Sequence, residues 1–259
     1  MLPRPLIELA GVSKTYAASD GLVHAVDQVS LDVSTGEFLS ILGPSGCGKS
    51  TLMLMVAGLL APSAGEIRVG GKPVTRPQTD VGIVFQNPVL LDWRTVIRNV
   101  LLQVEARALD LSLYRVKARE LLLAVGLEGF EDKYPFELSG GMRQRTAICR
   151  ALIHDPPLLL MDEPFGALDA LTREQMRLDI ERLWLERRKT VVFITHSIPE
   201  AVLLSDRVVV MSPRPGRIDG LIDIDLPRPR RLEVQESPGF AGYLKAITDL
   251  FRARGVLRY

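Results

Sequence analysis

The sequence predicts an α/β fold whose sheet is mostly parallel. Near-continuous apolar segments, which are typical of strands buried on both faces, alternate along the chain with segments of helical character. Because parallel strands need crossover connections, this alternation indicates helices packed against a parallel sheet. The predicted buried strands are residues 38–42, 81–85, 158–162, 190–195 and 207–211.

The other predicted elements follow from the same patterns. Residues 6–12 and 26–33 predict strands near the N-terminus, and the second alternates apolar and polar side chains as a half-buried strand does. Residues 87–154 are mainly helical in pattern, which predicts an inserted helical block. The predicted helices are residues 50–60, 112–125, 143–153 and 171–187, with a short helix after the Pro- and Arg-rich residues 227–231.

Composition excludes several classes of protein. The 259 residues are 47% hydrophobic, and the formal net charge of +1 gives no general attraction to nucleic acid. Two cysteines, Cys47 and Cys149, are too few for a disulfide framework or a zinc site. The start lacks the apolar core of a signal peptide, and the longest apolar stretch is shorter than the ~18–20 residues of a membrane span. We therefore expect a soluble chain that serves a membrane only from its surface.

A glycine-rich segment between a predicted strand and a predicted helix carries the clearest chemical signal. Residues 43–50 fit the phosphate-binding pattern G-x-x-x-x-G-K-[ST] in the strand–loop–helix context that the mechanism requires. The glycines let the backbone wrap the phosphates, Lys49 reaches the outer ones, and the Ser50 hydroxyl can ligate Mg²⁺. A purely structural glycine turn is the alternative. The predicted nucleotide-binding residues are Gly43, Pro44, Ser45, Gly46, Cys47, Gly48, Lys49, Ser50 and Thr51.

Two later strand ends carry groups suited to phosphoryl transfer. Asp162 ends an apolar strand and can hold Mg²⁺ through water, and Glu163 after it can polarise an attacking water. His196 follows the strand at 190–195, at the sheet edge where such folds bind ligands, and could touch a γ-phosphate. Alone, the acids could simply cap a strand–loop junction, and the histidine could be structural.

A second glycine-rich segment follows later in the chain. Leu138-Ser139-Gly140-Gly141-Met142 places small residues before a helical pattern, which presents backbone N–H groups to an anion. One nucleotide needs only one cradle around its phosphates. The second segment therefore predicts contact with a nucleotide held mainly by another subunit.

These motifs make the chain similar to the nucleotide-binding subunit of ABC transporters. Residues 138–145 resemble that family's signature motif, which separates it from other P-loop NTPases. The resemblance covers about residues 6–220. It implies a P-loop NTPase core of the RecA-like type with a mostly parallel sheet, an N-terminal antiparallel β part and an inserted α-helical subdomain. The implied single domain, 1–259, comprises a nucleotide-binding core at 1–86 and 155–226, a helical subdomain at 87–154 and a C-terminal extension at 227–259.

The resemblance also assigns roles by motif, with ATP and Mg²⁺ as the implied ligands. Tyr16 matches the aromatic that stacks on adenine, and Gln86 matches the Q-loop glutamine that senses Mg²⁺ and the membrane partner. Residues 167–169 match the D-loop, and His196 matches the switch histidine. The implied catalytic residues are Glu163, His196, Gln86 and Lys49. The implied Mg²⁺ ligands are Ser50, Gln86 and Asp162, and the residues implied to reach a partner's ATP are Ser139, Gly140, Gly141 and Asp169.

The resemblance implies partners as well as ligands. Two ATPase subunits are expected to face each other head to tail, and a second copy of this chain is the first candidate. Transmembrane permease subunits are expected to dock at the Q-loop region near Trp93, whose alternative role is that of a core aromatic in the helical subdomain. A periplasmic or surface solute-binding protein is an indirect partner, and no nucleic acid is expected. The implied location is the cytoplasmic face of the inner (cell) membrane, as a peripheral protein.

Finer similarities point to one branch of the family. Residues 91–96 with Asn99-Val100 after them, residues 162–169 and residues 211–218 resemble segments of nitrate/sulfonate/taurine-type importers. This implies that the chain energises uptake of such a solute or a related small organic one. Met142 stands where many members have glutamine, and Ser197 and Pro199 replace acidic residues common after the switch histidine. The alternative is a soluble ABC-type ATPase that acts on a partner other than a transporter.

Overall fold

The computed structural model describes residues 5–19, 21–166 and 168–256. The chain forms two compact units, each with most of its residue contacts within itself. The first contains the residues up to Thr79 together with those from Arg187 onward, and the second runs from Asp80 to Glu186. No helix in the described ranges is both long and apolar enough to cross a membrane.

The strands of the first unit form two groups. Their bounds are β1 (Ile7–Ala18), β2 (Gly21–Val33), β3 (Phe38–Leu42), β4 (Ala64–Val69), β5 (Lys72–Pro73), β8 (Thr190–Thr195), β9 (Arg207–Met211) and β10 (Ile218–Asp223). An antiparallel sheet has the order β2-β1-β4-β5. Strand β3 pairs in parallel with both β8 and β9, and β10 closes this group antiparallel to β9. The expected antiparallel β part at the N-terminus is thus confirmed.

The second unit has a parallel pair of strands, β6 (Val81–Val84) and β7 (Leu158–Asp162), and most of the helices. Its helices are α2 (Val96–Val100), α3 (Leu102–Ala106), α4 (Leu111–Ala124), α5 (Gly140–Leu152) and α6 (Ala170–Arg187), with a 3₁₀ turn at Pro135–Glu137. The helices of the first unit are α1 (Lys49–Val56), α7 (Ile198–Leu204) and α8 (Pro238–Ala253), with a 3₁₀ turn at Leu232–Glu236. The helical block predicted from the sequence therefore forms within one compact unit.

Four strands predicted from apolar runs, β3, β7, β8 and β9, have the predicted bounds. The helix predicted at residues 50–60 ends earlier, at Val56. Gly58 adopts φ +71°, and a Cβ there would lie 2.1 Å from the carbonyl oxygen of Arg76. A glycine in the left-handed region just after a helix is a common stop, so the prediction of the helix end was wrong for a local reason.

The C-terminal extension packs on the first unit rather than standing apart from it. Phe240, Ile247 and Phe251 of α8 are buried in one apolar cluster with side chains of α7 and β9. Arg230, 1% exposed, donates hydrogen bonds to carbonyl oxygens of Val202, Ser205, Ile224 and Leu226. These bonds hold the segment before α8 against the end of α7. Helix α8, predicted as short, spans 16 residues.

Candidate functional site

The glycine-rich loop after β3 has the strand–loop–helix geometry predicted for it. Strand β3 ends at Leu42 and helix α1 begins at Lys49. Gly48 occupies the N-cap position with φ 103°, and a Cβ there would lie 2.7 Å from the carbonyl oxygen of Ala25. Only glycine fits this conformation and this space. Within the described residues, the structure shows no side-chain cap at the start of α1, and the N–H groups of the first turn of a helix are suited to contact an anion.

Lys49 brings a positive charge to this loop. Its side chain is 5% exposed, and Nζ donates hydrogen bonds to the carbonyl oxygens of Gly43 (2.8 Å) and Pro44 (3.1 Å). The carbonyl oxygens at the start of the loop thus bind the ammonium group of Lys49. An anion in the loop would meet both this charge and the uncapped start of α1.

Tyr16 stands beside the far end of the same loop. Its hydroxyl lies 3.4 Å from Oγ1 of Thr51, and its ring is 38% exposed. Nζ of Lys14 lies 5.4 Å from the centre of that ring. The hydroxyl end of Tyr16 thus lies beside the residue that follows the loop, and part of Tyr16 remains exposed. Cys47 inside the loop is buried, with 1% of its surface exposed, so it packs as a small apolar residue.

His196 follows the last residue of β8 and is exposed. The residues after it explain why Ser197 and Pro199 replace the expected acids. The Ser197 hydroxyl accepts from the N–H of Glu200 at 3.4 Å and so caps α7, while Pro199 occupies the first turn, where its missing N–H costs nothing. Thr195 completes this turn by donating to Oε2 of Glu200 at 2.6 Å. The departures from the family pattern thus build the start of a helix.

In the second unit, the predicted base and the predicted Q-loop glutamine converge. Glu163, directly after β7, has φ 41°, a conformation that L residues rarely adopt. A Cβ placed on Gly166 would lie 3.6 Å from Nε2 of Gln86 and 3.9 Å from Oε2 of Glu163. Both side chains therefore lie at van der Waals distance from the same position beside Gly166. The strained backbone at Glu163 is of the kind that clusters at functional sites.

The signature segment forms the start of α5. The Ser139 hydroxyl accepts from the N–H of Met142 at 3.2 Å and caps the helix. A hydroxyl that accepts one bond retains its own hydrogen, so Ser139 can still donate. A Cβ on Gly141 would lie 2.6 Å from Cγ2 of Thr172, which places the signature against the start of α6.

The D-loop residue Asp169 lies at that same contact. Its carboxylate accepts from the N–H of Thr172 at 3.0 Å and from the Thr172 hydroxyl at 2.6 Å. These bonds, the side-chain one first, lower the pKa of Asp169. The structure thus brings the signature and Asp169 together through Thr172. Ala167, which completes the predicted D-loop, lies outside the described residues.

Trp93 is 75% exposed, so its alternative role as a core aromatic is wrong. The loop that carries Trp93 is held by hydrogen bonds to the side chain of Asn99, which is fully buried. The Asn99 side chain accepts from the N–H of Leu91 at 2.8 Å and donates toward carbonyl oxygens of Leu91, Arg94 and Thr95. An exposed indole on a fixed loop is a suitable contact for another protein.

Sequence reasoning gave no structural role to three buried polar residues of this unit: Asn99, Gln144 and Arg150. One signal was available for Gln144. It shares the 3.6-residue face of α5 with the buried Ala147, Ile148 and Ala151, and a polar group on an apolar face must find a partner. The partners themselves come from distant segments, which periodicity does not reveal.

The proposed Mg²⁺ ligands, Ser50, Gln86 and Asp162, offer oxygen atoms, which Mg²⁺ prefers. The described part of the chain has no group of three or more His, Cys, Asp or Glu that could hold a metal ion. Through its oxygen atoms, the donor set fits the ion.

Comparisons with known proteins agree with this geometry. The sequence pattern of the family described as ABC transporter matches residues 26–166, more than half of the chain. An uncharacterised ABC transporter ATP-binding protein of Methanocaldococcus jannaschii is 45% identical over 95% of this chain and 91% of its own. A taurine import ATP-binding protein of Rhizobium johnstonii is 45% identical, over 98% of this chain and 99% of its own. An aliphatic sulfonates import ATP-binding protein of Bacillus cereus is 40% identical, over 97% and 98%.

Solved structures show the same likeness in three dimensions. A dimeric ATP-binding cassette in a post-hydrolysis state, bound to ADP and phosphate, superposes with a TM-score of 0.76 at 33% identity, over 85% of this chain and all of that one. The glycine-rich loop, the capped signature helix and these relatives agree on one assignment: the chain belongs to the ABC transporter family.

Proposed function

We propose that the chain is the ATP-binding and ATP-hydrolysing subunit of an importer. The observation that carries the proposal is the buried Lys49 at the start of α1, whose ammonium group is bonded to the carbonyl oxygens of the glycine-rich loop before it. This arrangement suits the polyphosphate of a nucleotide. Tyr16, beside the loop at Thr51, is proposed to stack on the base.

The second glycine-rich segment is proposed to complete the site of a partner subunit. Ser139 retains a hydroxyl hydrogen, and Gly140 and Gly141 start α5 without side chains. Together with Asp169, these residues are proposed to contact the γ-phosphate held by a facing subunit. The dimeric state of a cassette that superposes at 33% identity supports this assignment. A second copy of this chain is the simplest partner.

The chemistry is proposed to follow the positions of four side chains. Glu163 polarises the attacking water, Gln86 and His196 orient the water and the γ-phosphate, and Lys49 stabilises the phosphate charge. Positioning and charge stabilisation supply most of the rate enhancement in such reactions. A bound Mg²⁺, held by Ser50, Gln86 and Asp162, would neutralise phosphate charge at the site.

The transport role is proposed from the relatives and from Trp93. Relatives at 40–47% identity are named as import ATP-binding proteins for taurine and for aliphatic sulfonates. We therefore propose uptake of a small sulfonate-type solute, captured by a separate binding protein. Permease subunits are proposed to dock at the exposed Trp93, which would keep the chain at the cytoplasmic face of the membrane as a peripheral protein.

The test uses Glu163→Gln, which keeps the size of the side chain and removes its basicity. We expect the variant to bind ATP and the rate of hydrolysis to fall at least about 100-fold. An ATP-bound dimer should accumulate because the bond to the γ-phosphate is not cleaved. Steady-state ATPase assays and size-exclusion chromatography with ATP measure these outcomes. Glu186→Gln, at an exposed position in the same unit, is the control. Normal hydrolysis by Glu163→Gln would remove Glu163 from its role.

A further inference from the structure

The signature helix α5 holds the backbone on both sides of Gln86. Arg150, near the end of α5, donates to the carbonyl oxygens of Pro88 and Val89, at 2.7 Å in each case. Gln144, near its start, donates from Nε2 to the carbonyl oxygen of Phe85 at 3.3 Å. Every one of these bonds lies within the second unit. Gln86 therefore sits in a backbone segment that is fixed at either end by the same helix.

The bonds from Arg150 are stronger than ordinary side-chain bonds. Its residue exposure is only 9%, so the guanidinium is largely withdrawn from water and its two donations are charge-assisted. Two carbonyl oxygens in succession match the two arms of the guanidinium fork. An ammonium group would have to reach both oxygens from a single nitrogen, so it matches the spacing of this pair less well than the fork does.

The held segment also carries a conformation that needs support. Val89 has φ 46°, and a β-branched residue disfavours this left-handed region more than most others do. Its side chain is 61% exposed, so apolar packing contributes little to holding it there. Its carbonyl oxygen is one of the two that Arg150 binds. The guanidinium thus supports the backbone three residues after Gln86 in a conformation that it would otherwise leave.

We propose that Arg150 is a positioning residue for Gln86, which it holds in place through the backbone that follows this glutamine. A helix of 13 residues is stiff, and Ser139 caps its start. Helix α5 therefore gives Arg150 and Gln144 a fixed base from which to hold the segment around Gln86. This inference rests on the proposed function of Gln86.

The test compares Arg150→Met with Arg150→Lys. Methionine keeps much of the length and removes both donors, whereas lysine keeps the charge but replaces the two nitrogens of the planar fork by a single ammonium group. For Arg150→Met we expect kcat to fall about tenfold and the Mg²⁺ concentration for half-maximal ATPase activity to rise several-fold, because Gln86 is misplaced. The Kd for ATP should stay within about twofold, since the phosphate loop lies in the other unit. Arg150→Lys should recover part of kcat.

The control is Arg182→Met on α6. Arg182 also donates to a backbone carbonyl oxygen, that of Ala124, but far in sequence from the Q-loop. A loss of stability alone would affect both variants, whereas the rise in Mg²⁺ requirement should appear only for Arg150. An unchanged kcat and Mg²⁺ dependence in Arg150→Met, or an equal change in Arg182→Met, would overturn the proposal.

A second measurement separates this inference from the proposed function. Hydrogen exchange of the peptide covering residues 85–95 should become at least about tenfold faster in Arg150→Met, and the region of α1 should be unaffected. This readout needs no ATPase activity. If the unaltered chain failed to hydrolyse ATP, the proposed function would be wrong. Hydrogen exchange would still test the clamp, by which we mean the bonds from Arg150 to the carbonyl oxygens of Pro88 and Val89. Unchanged exchange at residues 85–95 would show that Arg150 does not hold the loop.

Discussion

Helices α1 and α5 both begin after glycine-rich loops, yet they begin differently. The N-cap of α1 is Gly48, which offers no side-chain acceptor, whereas the N-cap of α5 is Ser139, whose hydroxyl binds the N–H of Met142. Each loop also has a basic side chain bonded to its carbonyl oxygens, Lys49 in the first and Arg143 in the second. The first start lacks a side-chain acceptor of its own, while the second already has one.

The two helix starts therefore differ in where a ligand of each loop would come from. A helix start without a side-chain cap, with a buried ammonium group beside it, would suit an anion bound within one subunit. A capped start keeps fewer N–H groups for a ligand and suits a contact that is completed from outside the subunit. The comparison therefore predicts unequal responses when the two starts are changed.

The largest expected effect comes from Lys49→Ala. Loss of charge-assisted bonds to phosphate should weaken ATP binding roughly 10- to 100-fold, and hydrolysis should fall further because the transition state carries more charge. Equilibrium binding of a fluorescent ATP analogue to the monomer measures the first effect. Lys72→Ala, at an exposed position on β5, should bind as the unaltered chain does. Equal losses in the two variants would end the assignment of Lys49.

The next-largest effect distinguishes the roles of the helix starts of α1 and α5. Ser139→Arg should leave nucleotide binding by the monomer within about twofold yet reduce hydrolysis at least about 100-fold, because the larger side chain blocks the facing site. Ser237→Arg, which removes the comparable cap of α8, controls for the loss of capping itself. Were Ser139→Arg to weaken monomer binding as much as Lys49→Ala, the shared-site hypothesis would be wrong.

A third pair of variants compares the glycines. Gly48→Ala forces a left-handed residue against Ala25 and Val26 and should lower the free energy of unfolding by about 2–4 kcal/mol. Gly140→Ala places its methyl group where no atom lies within 4 Å and should change it by at most about 0.5 kcal/mol. Urea unfolding of each variant without nucleotide measures both. Similar values would show that the two loops are equally constrained.

The smallest expected effect concerns His154, which follows α5, and the pH dependence of the free energy of unfolding. Burial, and next the charge of Arg107, lower the pKa of His154 from its ordinary 6.5 to about 4, and within the described part of the chain neither ring nitrogen has a hydrogen-bond partner. Between these pH values the unfolded chain takes up a proton that the folded chain does not. The free energy of unfolding should therefore decrease as pH falls from above 6.5 toward 4.

His154→Phe should flatten that dependence. Between pH 7.5 and 5.5 we expect the variant to lose roughly 0.5–1 kcal/mol less than the unaltered chain, after allowance for solvent screening of a partly exposed ring. Urea unfolding at the two pH values measures the difference. Identical pH dependence in both proteins would assign the acid sensitivity to other groups.

Elements whose cause is local were predictable from the sequence. Strands β3 and β7 are apolar from end to end, and the loop after β3 obeys a spacing that its own backbone dictates. Strand β4 was missed because most of its residues are exposed, which leaves no apolar run to detect. Helix α7 was missed although Ser197 and Glu200 stand at the spacing of a helix start.

The candidate site divides in the same way. Motif spacing named Lys49, Glu163 and Ser139, because each chemical role fixes a residue type at a set distance from its neighbours. The clamp from Arg150 to Pro88 joins residues 62 positions apart, and no local pattern records such a contact. Tertiary packing alone decides which carbonyl oxygens a buried guanidinium meets.

Asn99 has a consequence for how fast a partner can bind. Fully buried, it fixes the loop of Trp93 before any encounter takes place. Binding then costs little conformational entropy at this contact, and no slow rearrangement of the loop has to precede docking. At the proposed docking surface the association rate should accordingly be limited by the orientation of the two proteins, and Asn99→Ala should slow association there although the Asn99 side chain is buried.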